Sequence, residues 1–193
     1  MKIILASQSP RRREILTLME IPFEVIESHV QEIPPEGATP VELVKALAEQ
    51  KARAVFAMHP DDCIIGADTV VDLDGRVLGK PHTPERAREY LHLLSGRSHI
   101  VYTGICVLTP SHADVRSVRT DVTFRPMSDE EIEWYVGTGD PLDKAGSYGV
   151  QGPASLFVDH LEGNYFNIIG MPAPILYEML LNAHAIDQRH RVL

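Results

Sequence analysis

The chain has 193 residues, 44% of them hydrophobic and 23% charged, an ordinary globular composition that excludes a disordered or fibrous protein. Its net charge of −9 argues against general nucleic-acid binding, which asks for a basic face, and no apolar stretch is long enough to span a bilayer. The two cysteines, Cys63 and Cys106, lie in the apolar runs CIIGADTVV and YTGICVL, as small buried hydrophobes do in a reducing compartment, so no disulfide framework is expected.

The opening MKIILAS passes from a short apolar run straight into SPRRR, too short a run for a signal-peptide core, and a cytoplasmic location is the expectation. KIILA at 2–6 reads as a buried strand. A helix over 10–19 follows, with Ser9 as N-cap and Pro10 at the first helical position. FEVIES at 23–28 alternates like a strand, and EIPPEGATP makes a loop. Thr39-Pro40-Val41-Glu42 is a capping box opening a helix to about residue 58, with Val41, Val44, Leu47, Ala48 and Val55 on one side. The run at 63–71 reads as a central strand whose one charge is Asp68, and Asp74-Gly75 turns the chain in a hairpin. A helix over 84–94 stops at Ser95-Gly96. Two long strands, 98–108 and 115–125, precede a helix capped by Ser128 and running to about 136. Residues 137–152, GTGDPLDKAGSYGVQG, form a glycine-rich loop of the length that is usually functional. Strands near 155–159 and 164–169 are expected to turn at Glu162-Gly163, and a last helix covers 172–183. The alternation favours an α/β class in one domain over 1–193, with a core of 1–183 and a frayed tail at 184–193.

Charge is unevenly placed. Lys2, Arg11, Arg12 and Arg13 stand in the first 13 residues without an acid among them, a small basic focus on an acidic chain that suits a compact anion better than a polymer. In SQSPRRR the free N–H groups of a helix start, two hydroxyls and adjacent guanidinium groups would all favour phosphate. Basic residues in a first turn oppose the helix dipole, so without an anion the same segment is merely a solvated surface turn. Asp68, alone in IIGADTVV, is costly to bury without a partner. It reads as a cation ligand, a proton acceptor or a structural cap. Lys51 in AEQKARA and Lys80 in LGKPH are candidate phosphate contacts, Glu32 a second acidic ligand, and Gln151 a base-reading amide; Thr69 is a neighbour of Asp68 or simply a β-former. No GxxxxGK[ST], GxGxxG, HExxH or GxSxG pattern occurs, so those nucleotide, zinc and serine chemistries are not indicated.

In order along the chain stand LASQSPRRREIL, ALAEQKARAV, IIGADTVV, LGKP, LSGRSH, PLDKAGSYGVQG and NYFNIIGMP. Together these blocks resemble the Maf family of nucleoside triphosphate pyrophosphatases over nearly the whole chain. The resemblance implies an elongated, two-lobed α/β fold around a mostly mixed sheet, akin to that of the inosine-triphosphate pyrophosphatases, and a homodimer. It implies house-cleaning hydrolysis of nucleoside triphosphates to NMP and pyrophosphate with Mg²⁺ or Mn²⁺, in the branch acting on dTTP and UTP and extending to modified pyrimidine nucleotides, while charge and hydropathy point to no nucleic-acid or membrane partner. By motif match Asp68 is the acidic catalytic residue, the proton acceptor, and a metal ligand with Glu32. Ser7, Arg11, Arg12, Lys51 and Lys80 bind substrate, and Arg12, Thr69 and Gln151 set specificity. One departure stands out: the family often pairs two acids where this chain has Gln31-Glu32. The alternatives are a nucleotide-binding interaction protein acting in septum formation or division arrest without turnover, and a purine-specific ITP/XTP-type pyrophosphatase.

Overall fold

Every strong start signal in the sequence is used as a start. The computed structural model describes residues 1–189 and 191–193, and its elements in chain order are β1 (Ile3–Leu5), α1 (Pro10–Leu18), β2 (Glu24–Val25), α2 (Pro40–Phe56), β3 (Cys63–Leu73), β4 (Arg76–Leu78), α3 (Pro84–Leu94), β5 (Ser98–Thr109), β6 (His112–Phe124), α4 (Asp129–Gly137), β7 (Val158–Gly163), α5 (Tyr165–Ile169) and α6 (Ala173–Asn182). Ser9 caps α1 by accepting from the Arg12 amide, and both Thr39 and Ser128 close reciprocal capping boxes with Glu42 and Glu131, so exposed donors at three helix starts are satisfied locally.

Among the described residues the strands form one seven-stranded sheet in the order β2-β1-β3-β5-β6-β7, with β4 paired to β3. β1 runs parallel to β2 and β3, whereas β3–β4 and β6–β7 are antiparallel, so the sheet is mixed and the class is α/β. β1 and the first half of β3 are buried along their whole length, which is why both read as continuous apolar runs rather than alternating ones. Asp74 and Gly75 have φ of 53° and 83°, the doubly left-handed turn that matches strand twist in a two-residue hairpin.

The chain divides into two compact units: Met1–Asp68, Thr103–Val118 and Gly170–Leu193 make the first, and Thr69–Tyr102 with Arg119–Ile169 the second. In the first, Ile4, Ala6, Ala48, Ala52, Val55, Ile64, Cys106 and Leu108 form a buried cluster. Here α2 lies directly on the strands. A Cβ at Gly66 would sit 2.2 Å from the Ala48 carbonyl oxygen, and one at Gly104 2.2 Å from that of Val44, so only glycine admits this approach. Both cysteines are buried, free thiols, pushed up to about 12 mainly by desolvation, which makes them inert.

The second unit is built on aromatic packing among Tyr90, Phe124, Tyr135, Tyr148 and Phe157. His99 is enclosed by it, 2% exposed, with Nε2 2.7 Å from the Tyr148 hydroxyl and its ring edge-on to Phe124 at 5.0 Å. Burial depresses its pKa to about 4, with Asp121 opposing the shift. The unfolded chain therefore takes up this proton near 6.5 and the folded one only near 4. Stability is lost as pH falls through that window, by up to about 3 kcal/mol. A His99→Gln variant, which keeps a partner for Tyr148, is expected to show a flatter urea midpoint between pH 6.5 and 4 than the parent; parallel curves would refute this.

Two expectations are corrected. The run 164–169 is helix, not strand, because Asn164 acts as a cap: its side chain accepts from the Asn167 amide, while its own N–H is held by Thr120 Oγ1. Residues Pro153–Phe157 make a 3₁₀ turn, and Glu162-Gly163 ends β7 rather than turning a hairpin. Within 184–193, the segment expected to fray, Ile186 bridges Val192, Asp187 accepts from the Arg189 and Arg191 amides, and Ala185 and Ile186 are buried; His190, inside that tail, lies outside the described residues.

Candidate active site

The first unit brings six of the expected site residues, Ser7, Arg11, Arg12, Glu32, Lys51 and Asp68, into contact or close electrostatic range. Ser7, two residues past β1, is 8% exposed, and its hydroxyl accepts from the Ser9 amide at 3.2 Å and from Arg12 Nη1 at 3.1 Å. Arg12 turns back over the loop rather than outward and also donates from Nε to the Gly170 carbonyl at 2.9 Å. Burial lowers the pKa of its guanidinium, Asp68 and Glu32 work against that shift, and Arg11 adds to it. Arg12 therefore feels the charge of Asp68, Arg11 and Glu32. α1 carries no acid in its first turn, so its N-terminus keeps its positive end.

At the centre stands Lys51. Its ammonium lies 2.5 Å from Asp68 Oδ1 and 3.0 Å from Glu32 Oε1, with the Lys51 and Asp68 side chains only 12% and 13% exposed. The local fold explains the meeting. Gly66 and Asp68 share a face of β3 by the two-residue alternation of a strand, and Ala48 and Lys51 are near neighbours on the helix surface. Seating Ala48 on Gly66 thus carries Lys51 onto Asp68. Glu32 arrives differently. β2 covers only Glu24–Val25, shorter than the strand expected over 23–28, and Glu32 sits in an irregular segment rather than at a strand end.

The remaining expected residues belong to the second unit. Thr69 follows Asp68 on β3 and is half-buried; Lys80 and Gln151 are exposed. The segments bearing these last two are joined: the Gly146 amide donates to the Gly79 carbonyl at 3.1 Å, and the His82 amide to the Leu142 carbonyl at 3.2 Å. The glycine-rich loop is not slack. Lys144 Nζ donates to the Asp140 carbonyl and carboxylate at 2.6 and 2.8 Å, and the Tyr135 hydroxyl donates to the same carboxylate at 2.7 Å. Gly149 packs so closely on the Lys144 stem that a Cβ there would lie 2.8 Å from it. Sequence reasoning passed over Lys144, Asp140 and Gln50; an Asp–Lys pair four apart was a readable signal for the first two.

The site residues are oxygen donors and cations throughout. Among the described residues no group of three or more His, Cys, Asp or Glu side chains could hold a metal ion by itself. Asp68 and Glu32, which already converge on one positive charge, fit a hard cation such as Mg²⁺, which is commonly held by one or two carboxylates together with substrate phosphates and water.

The family model described as Maf-like protein matches residues 2–183. A dTTP/UTP pyrophosphatase of Bacillus cytotoxicus is 47% identical over 171 residues, 89% of this chain and 90% of that protein, and one of Bacillus cereus strain AH187 is 47% identical over 98% of both. The solved structure of the Staphylococcus aureus Ham1 protein shares the fold at a TM-score of 0.52 and 15% identity, covering 95% of this chain and 99% of that one. Matched from its second residue to the end of its last helix, and nearly half identical to members of like length, the chain belongs to the Maf-like protein family.

Proposed function

We propose that this chain is a nucleoside triphosphate pyrophosphatase that hydrolyses dTTP and UTP between the α- and β-phosphates, giving NMP and pyrophosphate. The observation that carries the reading is the cluster of Lys51, Asp68 and Glu32, with Arg12 and Ser7 in the same unit. A substrate with about four negative charges needs cations, and in-line attack by water needs a carboxylate; the cluster holds both at contact distance. The dTTP/UTP name of relatives 47% identical over nearly the full length supports the choice of substrate.

Each residue has a derivable part. Asp68 accepts a proton from, or orients, the water that attacks the α-phosphorus; the α–β bridging oxygen leaves with pyrophosphate. Arg12, with Arg11 beside it, and Lys51 balance charge on the phosphates and on the departing pyrophosphate, each such donor typically contributing ~10²–10³ in rate. Ser7 orients Arg12. Asp68 and Glu32 would hold a Mg²⁺ or Mn²⁺ ion, which supplies Lewis-acid charge neutralisation when bound. Lys80, on the segment joined to the glycine-rich loop, is a further phosphate contact, and Thr69 and Gln151 discriminate the base. Two copies of the chain form the working unit in this reading.

The experiment is pyrophosphate release from a panel of canonical and purine ITP/XTP-type nucleotides with Mg²⁺, Mn²⁺ or EDTA. Metal-dependent release from dTTP and UTP, with NMP as co-product, is expected. Preference for dITP or XTP would transfer the chain to the purine-specific class, and silence from folded protein would leave a nucleotide-binding interaction protein.

A further inference from the structure

Glu32 lies in a stretch without helix or strand, and the next residue, Ile33, is 66% exposed, so burial of that side chain does not hold the segment in place. Its backbone is held instead. The side-chain amide of Gln50 reads both polar groups of Ile33: Oε1 accepts from the Ile33 N–H at 2.9 Å, and Nε2 donates to the Ile33 carbonyl at 2.7 Å. This is the pattern by which a neighbouring strand would pair with the residue, supplied here by one side chain across 17 positions of sequence. Pro34 and Pro35 follow immediately, and a residue before proline is confined to extended conformations, which suits such two-point capture. Gln50 precedes Lys51 on α2, and Glu32 precedes Ile33, so one helix turn holds the loop backbone with one residue and meets its carboxylate with the next, Lys51 Nζ to Glu32 Oε1 at 3.0 Å.

We propose that Gln50 is a positioning residue of the site: by clamping the backbone of Ile33 it delivers the Glu32 carboxylate to the place where it faces Lys51 and Asp68, and so sets the affinity for the divalent cation without touching substrate. This rests on the proposed role of Glu32 as a ligand. Only an amide presents a donor and an acceptor at that reach; aspartate, glutamate or methionine satisfies at most one of the two groups. Residues that orient a ligand from behind typically affect metal affinity by 10–100-fold.

The test uses Gln50→Met, which keeps the length of the stem and removes the amide, with Gln50→Ala as a second variant should the first misfold. Three readouts are taken on the purified chain: hydrogen exchange at the Ile33 amide, direct Mn²⁺ binding followed by the free-ion paramagnetic resonance signal, and the Mn²⁺ dependence of pyrophosphate release. Exchange at Ile33 should quicken at least ~10-fold, Mn²⁺ binding should weaken ~10-fold, and turnover should recover to within about threefold of the parent at saturating Mn²⁺. In a Glu32→Gln background the Gln50 substitution should have no further effect on Mn²⁺ binding, since the clamp then has no ligand to deliver. Faster exchange with unchanged Mn²⁺ binding would make the clamp purely structural and overturn the proposal, as would unchanged exchange or an equal effect in the Glu32→Gln background. If the parent binds Mn²⁺ but releases no pyrophosphate from any nucleotide, the enzymatic reading fails while the first two readouts still decide the role of Gln50.

Discussion

Replacing Asp68 by asparagine is expected to lower the turnover of dTTP and UTP by at least ~10²-fold, the lower end of what a positioned proton acceptor contributes, while the protein still unfolds cooperatively. The substitution keeps shape and volume on β3, where the side chain is 13% exposed, and removes the charge. On the proposed reading three functions would go at once: the acceptor for the proton of water, one of the two carboxylate ligands to a cation, and the nearer partner of Lys51 at 2.5 Å. The structural cost is bounded because Lys51 keeps Glu32 at 3.0 Å. Losing a hydrogen bond between charged groups costs about 2 kcal/mol, a drop of a few degrees in Tm for a chain of this size. Initial rates of pyrophosphate release and a thermal melt of the same preparation check both halves. Turnover within threefold of the parent would remove Asp68 from the chemistry and leave it a structural carboxylate anchoring α2.

What could be read from the sequence follows the range of the interaction that decides each feature. Caps at Ser9, Thr39 and Ser128 and the Asp74-Gly75 turn were legible because their chemistry closes within about four residues, and all four stand where expected. The short apolar run 164–169 was misread because nothing local separates a buried strand from a helix of that length. The deciding contacts, Asn164 on Thr120 and the Asn167 amide on the Val101 carbonyl, come from 44 and 66 residues away. The site shows the same division. Ser7, Arg12, Glu32, Lys51 and Asp68 were recognisable as residue types in motifs, but how they meet was not. The Arg12 bond to the Gly170 carbonyl spans 158 residues, and the Gln50 clamp on Ile33 acts on backbone, which no side-chain pattern announces. Gly66 was an unused clue: a glycine inside an apolar strand signals close approach by another backbone, and here that approach, α2 on β3, sets Lys51 against Asp68.

Removing the charge of Lys51 should move two properties in opposite directions. In the structure its ammonium is shared by Asp68 and Glu32, so it occupies the electrostatic role that a divalent cation would take and would compete with such a cation for the same two carboxylates. A Lys51→Met variant leaves the carboxylates facing each other uncompensated, a repulsion that a divalent ion relieves. Nucleotide-free protein carrying this change is therefore expected to bind Mn²⁺ about 10-fold more tightly than the parent, and its melting temperature should rise more steeply with added Mn²⁺, as linkage requires for an ion bound only by the folded state. Turnover should nevertheless fall by ~10²–10³, because the cation that answers the developing charge of pyrophosphate is gone. The parent, by contrast, is expected to hold metal weakly until a triphosphate draws Lys51 toward phosphate and frees both carboxylates, in which case metal and nucleotide should each raise the affinity of the other, as reciprocity demands. Calorimetric titration of Mn²⁺ into both proteins, with and without a non-hydrolysable UTP analogue, measures that coupling. If Lys51→Met binds Mn²⁺ more weakly than the parent, Lys51 orients the carboxylates instead of competing for them, and metal and nucleotide need not be coupled through it.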